Sequence, residues 1–180
     1  MKTNILTIII ALLFVFQINA QSLNQEITKE GEQPFLLGKI DKNGLEGENY
    51  TTWFTKNYND YKPNTAITIA IASELKTYSI KLFMGTWCED SQRETPGIYK
   101  ILNAANFNLK NLQLIAVDRD KVTPQKLEKN FNITNVPTLI FFKDGKEMNR
   151  IVEYPIESLE QDILNILTNQ AYKNAYFEEE

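Results

Sequence analysis

The chain reads as an α/β domain with a central mixed β-sheet flanked by helices on both faces and an N-terminal extension. Three observations predict it. Apolar strand-like and amphipathic helix-like segments alternate after residue 65. A hairpin turn, Lys143-Asp144-Gly145-Lys146, joins two strand-like runs. A final segment repeats apolar residues at helical spacing through Leu159, Ile163, Ile166 and Leu167. Strand–helix–strand, then helix, hairpin and helix, is the order of a mixed sheet with layered helices.

The elements follow in order. Residues 1–20 have a positive start at Lys2, an apolar run from Ile5 to Ile18, and a small-residue end at Ala20. That is the layout of a cleaved secretory signal peptide; the alternative is an uncleaved N-terminal anchor. The run is shorter than the roughly 20 residues that span a bilayer. Residues 21–64 are an extension, with an irregular lead-in over 21–48. Asn49 to Tyr61 then carries Tyr50, Trp53, Phe54, Tyr58 and Tyr61 at the spacing of one helix face, capped by Asn49. Such a stripe is core packing, or a carbohydrate or peptide platform.

The domain proper is expected over 65–170. Ala66 to Leu75 fits both strand alternation and a helix face, and helix is preferred because a strand follows at once. Ser79–Met84 is a strand and Cys88–Ala105 a helix. Leu112–Val117 is a strand and Pro124–Phe131 a short helix. Thr138–Phe142 and Glu147–Tyr154 are the hairpin strands, and Ile156–Thr168 the last helix. Residues 171–180 read as a frayed tail.

Composition removes several function classes. The net charge is −4, with basic residues scattered, which argues against a nucleic-acid surface. There is no histidine, so imidazole-dependent hydrolysis, Cys-His proteolysis and His/Cys zinc sites are excluded. Neither a metal nor a cofactor is implied. Asp118-Arg119-Asp120 and Asp41-Lys42-Asn43 start like calcium loops but lack the glycine and terminal glutamate, and read as solvated turns.

Cys88 is the single cysteine. It stands where strand meets helix, in Trp87-Cys88-Glu89-Asp90-Ser91. A helix start offers unpaired N–H groups and the positive end of the dipole, which favour the reactive thiolate. Glu89 and Asp90 oppose this, and Arg93 offsets them. Ser91 stands where a redox pair would place its second sulfur. Its plain alternative is helix capping, either Ser91 with Glu94 or Thr86 with Glu89.

Together these residues resemble the thioredoxin family, from Ser79 to Thr168. W-C-x-x-S at the strand–helix junction takes the place of the family's W-C-x-x-C. Pro96 follows Cys88 by eight residues, where the family's active-site helix has its proline. Val117-Asp118 ends the next strand, Asn135-Val136-Pro137-Thr138 resembles the cis-proline loop, and Asp144-Gly145 is the hairpin turn. Gly85-Thr86-Trp87-Cys88 with Asp90-Ser91 is more narrowly similar to exported bacterial thioredoxin-like proteins.

The resemblance implies a thioredoxin-like fold and thiol-disulfide chemistry at Cys88, with Ser91 as an accessory that hydrogen-bonds the thiolate. It implies that Trp87, Val136, Pro137 and Thr138 hold substrate, Val136 offering its backbone to an extended peptide. Pro137 as an ordinary loop proline and Trp87 as a packed core residue are the alternatives. The departures matter. A serine hydroxyl cannot resolve a mixed disulfide, and the family's buried acid, six residues before the cysteine, is Leu82 here. The expected function is therefore an extracytoplasmic monothiol oxidoreductase or isomerase, periplasmic or secreted. Its partners would be protein or small-molecule thiols and disulfides and an outside reductant. A dimer linked through Cys88 is open to it, and no membrane span remains after signal cleavage. The alternative is a redox-inactive peptide-binding module.

Overall fold

The computed structural model describes residues 22–178. The expected signal peptide lies outside the described residues, as do residues 179–180 of the tail. Among the described residues, no helix is long and apolar enough to cross a membrane.

A two-strand ribbon opens the fold, β1 (Glu26–Ile27) against β2 (Phe35–Leu36). Next come β3 (Gly38–Ile40), a single turn α1 (Lys42–Leu45), and the helices α2 (Thr51–Asp60) and α3 (Thr65–Glu74). Then follow β4 (Tyr78–Met84), α4 (Glu89–Ala104) and β5 (Leu112–Ala116). The chain closes with the hairpin β6 (Thr138–Lys143) and β7 (Lys146–Val152) and the helix α5 (Leu159–Leu167). The sheet order is β3-β5-β4-β6-β7. β4 and β5 run parallel, and the other pairs are antiparallel. This is the expected central mixed sheet flanked by helices, except that the core residues of α2, α3, α4 and α5 gather on one face and the non-helical segment 124–133 covers the other.

Strand periodicity sorts the core. Leu82 and Met84 of β4, Leu114 and Ala116 of β5, and Leu139 and Phe141 of β6 face the helices, joining Phe54, Ile71, Ile98, Leu102 and Ile163. The intervening Phe83, Ile115 and Ile140 point to the other face, under Leu127, Phe131 and Ile133. Asp144 and Gly145 take the left-handed backbone conformation that a two-residue hairpin turn needs.

Four expectations change. The lead-in over 21–48 is not irregular throughout, because β3 adds an edge strand to the central sheet. Asn49 does not cap α2; Tyr50 holds that position without a side-chain cap bond, and the Asn49 amide donates to Glu26. Residues 124–131 form successive turns instead of a helix. Lys126 and Asn130 sit at φ +55° and +71°, which interrupts a right-handed helix. Thr123 and Glu128 tie the segment together, the Thr123 hydroxyl donating to Glu128 at 2.7 Å and accepting from the Leu127 N–H at 2.8 Å. The described part of the tail folds back onto the domain. The Tyr172 hydroxyl donates to Asp162 at 3.0 Å, and the Tyr176 and Tyr154 rings meet edge-on.

The aromatic stripe of α2 is mainly core. Tyr50 and Phe54 are buried, and Phe54 meets Tyr99 of α4 edge-on at 6.0 Å. Phe54→Ala is expected to lower unfolding free energy by about 3–5 kcal/mol, measured by denaturant titration. A loss under about 1 kcal/mol would mean that α2 packs independently of the domain.

Candidate active site

The site is built where β4 gives way to α4. β4 ends at Met84, and Gly85, Thr86 and Trp87 carry the chain to Cys88, the N-cap residue of α4. Cys88 has extended backbone (φ −97°, ψ 123°) and its sulfur makes no capping bond. Its N–H donates to Gly85 O at 3.0 Å, and its carbonyl accepts from the Gln92 N–H at 2.9 Å. The thiol is half-buried. It donates to the carbonyl of Val136 at 3.3 Å, and the Val136–Pro137 peptide is cis. The structure therefore brings Cys88, Val136 and Pro137 together from distant parts of the sequence.

Thr138 is buried and shapes this loop, its hydroxyl donating to Asn135 O at 2.6 Å. The Glu153 N–H donates to Pro137 O at 2.7 Å, tying the loop to the end of β7. Among the described residues, the Val136 N–H has no hydrogen-bond partner. Trp87 is half-buried. Its indole N–H donates to Val117 O at 2.9 Å, and the Arg119 guanidinium lies 5.2 Å from its ring. The ring also lies over Gly85, where a Cβ would sit 2.5 Å from it, so the packed indole requires glycine there.

Ser91 differs from the expectation. It is fully buried, and its Oγ accepts the Gly85 N–H at 3.1 Å. It makes no hydrogen bond to the Cys88 sulfur. Its place in the structure is to pin the end of β4 to the first turn of α4. Neither capping box forms. The Thr86 hydroxyl instead accepts the N–H of Leu36 at 3.0 Å.

Charge around the thiol is largely internal to α4. Arg93 pairs with Asp90 and Glu94, each at 2.7 Å. Burial raises the Glu94 carboxyl above its ordinary range despite this pairing. Leu82, at the position of the family's acid, is fully buried and apolar.

Sequence reasoning did not single out Asn57, Gln92 or the site role of Thr86. Pro96 has no N–H, so it leaves the carbonyl of Gln92, four residues before it, without its helical donor. The Asn57 amide donates to that carbonyl at 2.9 Å. The Gln92 amide in turn donates to Thr86 O at 2.7 Å. A proline within a helix is a signal that an outside donor is needed, but not of which residue supplies it. Among the described residues, no group of histidine, cysteine, aspartate or glutamate could hold a metal ion.

A lone thiol at the N-terminus of the helix after a central strand, facing a cis-proline loop, defines a thioredoxin-like class of site. The thioredoxin family model matches residues 68–165, just over half of the chain, and the chain belongs to that family. It is 36% identical over 70 residues to the thioredoxin of Chlamydia trachomatis, covering 39% of this chain and 63% of that protein. It is 30% identical over 81 residues to thioredoxin H2 of Arabidopsis thaliana, covering 45% and 56%. The chain thus spans less than two thirds of the length of these relatives. Among solved structures, it aligns with a Pseudomonas aeruginosa protein of unknown function at TM-score 0.48 and 15% identity, covering 66% and 81%.

Proposed function

We propose that this chain is an extracytoplasmic thiol-disulfide oxidoreductase or isomerase that works through the single thiol of Cys88. The observation that carries the reading is the half-buried Cys88 sulfur at the start of α4, in contact with the Val136 carbonyl of the cis-proline loop. Deprotonated Cys88 attacks one sulfur of a substrate disulfide. That S–S bond breaks, a mixed disulfide forms, and the departing sulfur takes a proton. A second substrate thiol then attacks the substrate sulfur of the mixed disulfide, giving an isomerised substrate and freeing Cys88. Alternatively, an outside thiol attacks the Cys88 sulfur, freeing reduced substrate, and a second outside thiol takes up the first as a disulfide and frees Cys88. In both cases Cys88 returns as a thiol. Ser91 cannot perform this step, because a hydroxyl is not a thiolate at neutral pH. The open N–H of Val136 supports strand-like pairing with an extended substrate. The signal-like residues 1–20 support export, to a compartment where disulfides persist.

The second reading, a redox-inactive peptide-binding module, draws on the same contact. The Cys88 S–H is already engaged by Val136 O, as in an inert packed cysteine. An aromatic disulfide reagent separates the two. Native protein is expected to release one equivalent of reporter thiol per chain without denaturant. Release only after unfolding would favour the binding module.

A further inference from the structure

The N-terminal segment and the site loop flank an open cleft of about 460 Å³ on the Trp87 side of Cys88, within the ~300–1,000 Å³ range of small-ligand sites. Its site-loop wall is Thr86 and Trp87, with Gln92 one helical turn beyond Cys88. The opposite wall comes from residues before 54, outside the span that matches the family model. The cavity is therefore an addition that this chain's extension makes to the reactive end of the domain.

We propose that this cavity is a subsite for the substrate polypeptide, taking an uncharged aromatic or amide-bearing side chain close to the substrate's disulfide. The proposal rests on the reading of Cys88 as a thiol that acts on polypeptide disulfides.

The lining states the chemistry. The half-buried Trp53 and Trp87 supply aromatic surface, with the buried Tyr50 behind them, and aromatic faces favour planar partners. Gln33 and Asn49 supply amides. Both side chains are exposed to solvent and able to exchange water for a ligand: the Gln33 amide has no protein partner among the described residues, and the Asn49 bond to Glu26 uses its nitrogen, leaving the carbonyl oxygen as an acceptor. Glu32 and Arg119 pair at 3.3 Å across the rim and offset one another. The Glu26 carboxylate is not part of the lining and already accepts from the Asn49 amide at 3.0 Å and the Tyr50 hydroxyl at 2.7 Å. A charged side chain entering the cavity would therefore lose water without an unpaired counter-charge among the lining residues. An aromatic ring or a carboxamide loses less and finds both stacking surface and open amide groups. Location favours a polypeptide over a sugar, because Trp87 is the residue next to the thiol.

The chain's two tryptophans, Trp53 and Trp87, both line this cavity, so intrinsic fluorescence reports on it. The test uses the full chain carrying Cys88→Ala, which keeps binding non-covalent. Blocked pentapeptides with central Phe, Gln, Glu or Lys are the probes. Phe and Gln peptides are expected to give saturable changes, with Glu and Lys peptides about tenfold weaker. Arg119→Ala leaves Glu32 without its partner, and is expected to shift preference towards the Lys peptide. The proposal is overturned by no saturable response, by equal response to all four peptides, by an unchanged preference in Arg119→Ala, or by a response only to an oligosaccharide. Reaction of unmodified Cys88 with a small aromatic disulfide is measured separately. Peptide binding without that reaction would sink the redox reading alone, and reaction without peptide binding would sink the subsite alone.

Discussion

Cys88→Ala is expected to abolish covalent capture of protein partners. When the unsubstituted protein is incubated with an extracytoplasmic extract and free thiols are then blocked, mixed disulfides should accumulate and disappear on reduction. The expectation follows from the chemistry of one sulfur. Cys88 is the chain's single cysteine, so no internal thiol can release a partner once it is bound. The substitution removes the S–H contact to Val136 O, at a half-buried position, and should leave the fold in place. Circular dichroism should therefore be unchanged while adducts vanish. Identical adducts from Cys88→Ala would exclude the thiol as their source.

Ser91→Cys is expected to convert the site into a dithiol. Ser91 is the third helical residue after the N-cap Cys88, and side chains at those two positions meet across the first turn of a helix. A sulfur at 91 should therefore come within disulfide reach of Cys88. The variant should form an internal disulfide under mild oxidation, gain reductase activity when given a reductant, and retain fewer trapped adducts. It should also be less stable by about 1–3 kcal/mol, because sulfur is a weak acceptor for the buried Gly85 N–H that Ser91 now holds. The gain should be partial, since Leu82 is fully buried where the family has an acid. Failure to form the internal disulfide would show that the two side chains do not face each other.

Much of this was legible in the residues, for physical reasons. Strands β4, β5 and β6 carry continuous or alternating apolar residues because both of their faces are covered. The thiol's place at a helix start was readable from the strand before it and the amphipathic run after it. The cis-proline loop followed from Asn135-Val136-Pro137-Thr138 through resemblance, and the structure sets it against the sulfur. Other features leave no local pattern. β3 has three residues, too few for alternation to show, and is a strand because β5 offers it an edge. The run 124–131 has helical spacing, but left-handed Lys126 and Asn130 and the Thr123–Glu128 bonds override it. Ser91 is the most instructive case. Its spacing from Cys88 suggested a partner for the thiol, whereas the Gly85 N–H, six residues before it, claims the hydroxyl. The cavity beside Trp87 was invisible for a related reason. Its walls come from segments more than thirty residues apart, joined by tertiary bonds such as Leu36 to Thr86.

The central claim is that Cys88 forms a mixed disulfide that the chain cannot release by itself. The direct measurement is an intact-mass time course of the native protein mixed with a disulfide-linked dimer of a single-cysteine peptide, the excess and the released peptide thiol then being removed. One peptide adduct per chain, located at Cys88, should persist without added thiol and be lost promptly when a small thiol is supplied. An adduct that forms only after denaturation, or one that decays at the same rate with and without added thiol, would contradict the account.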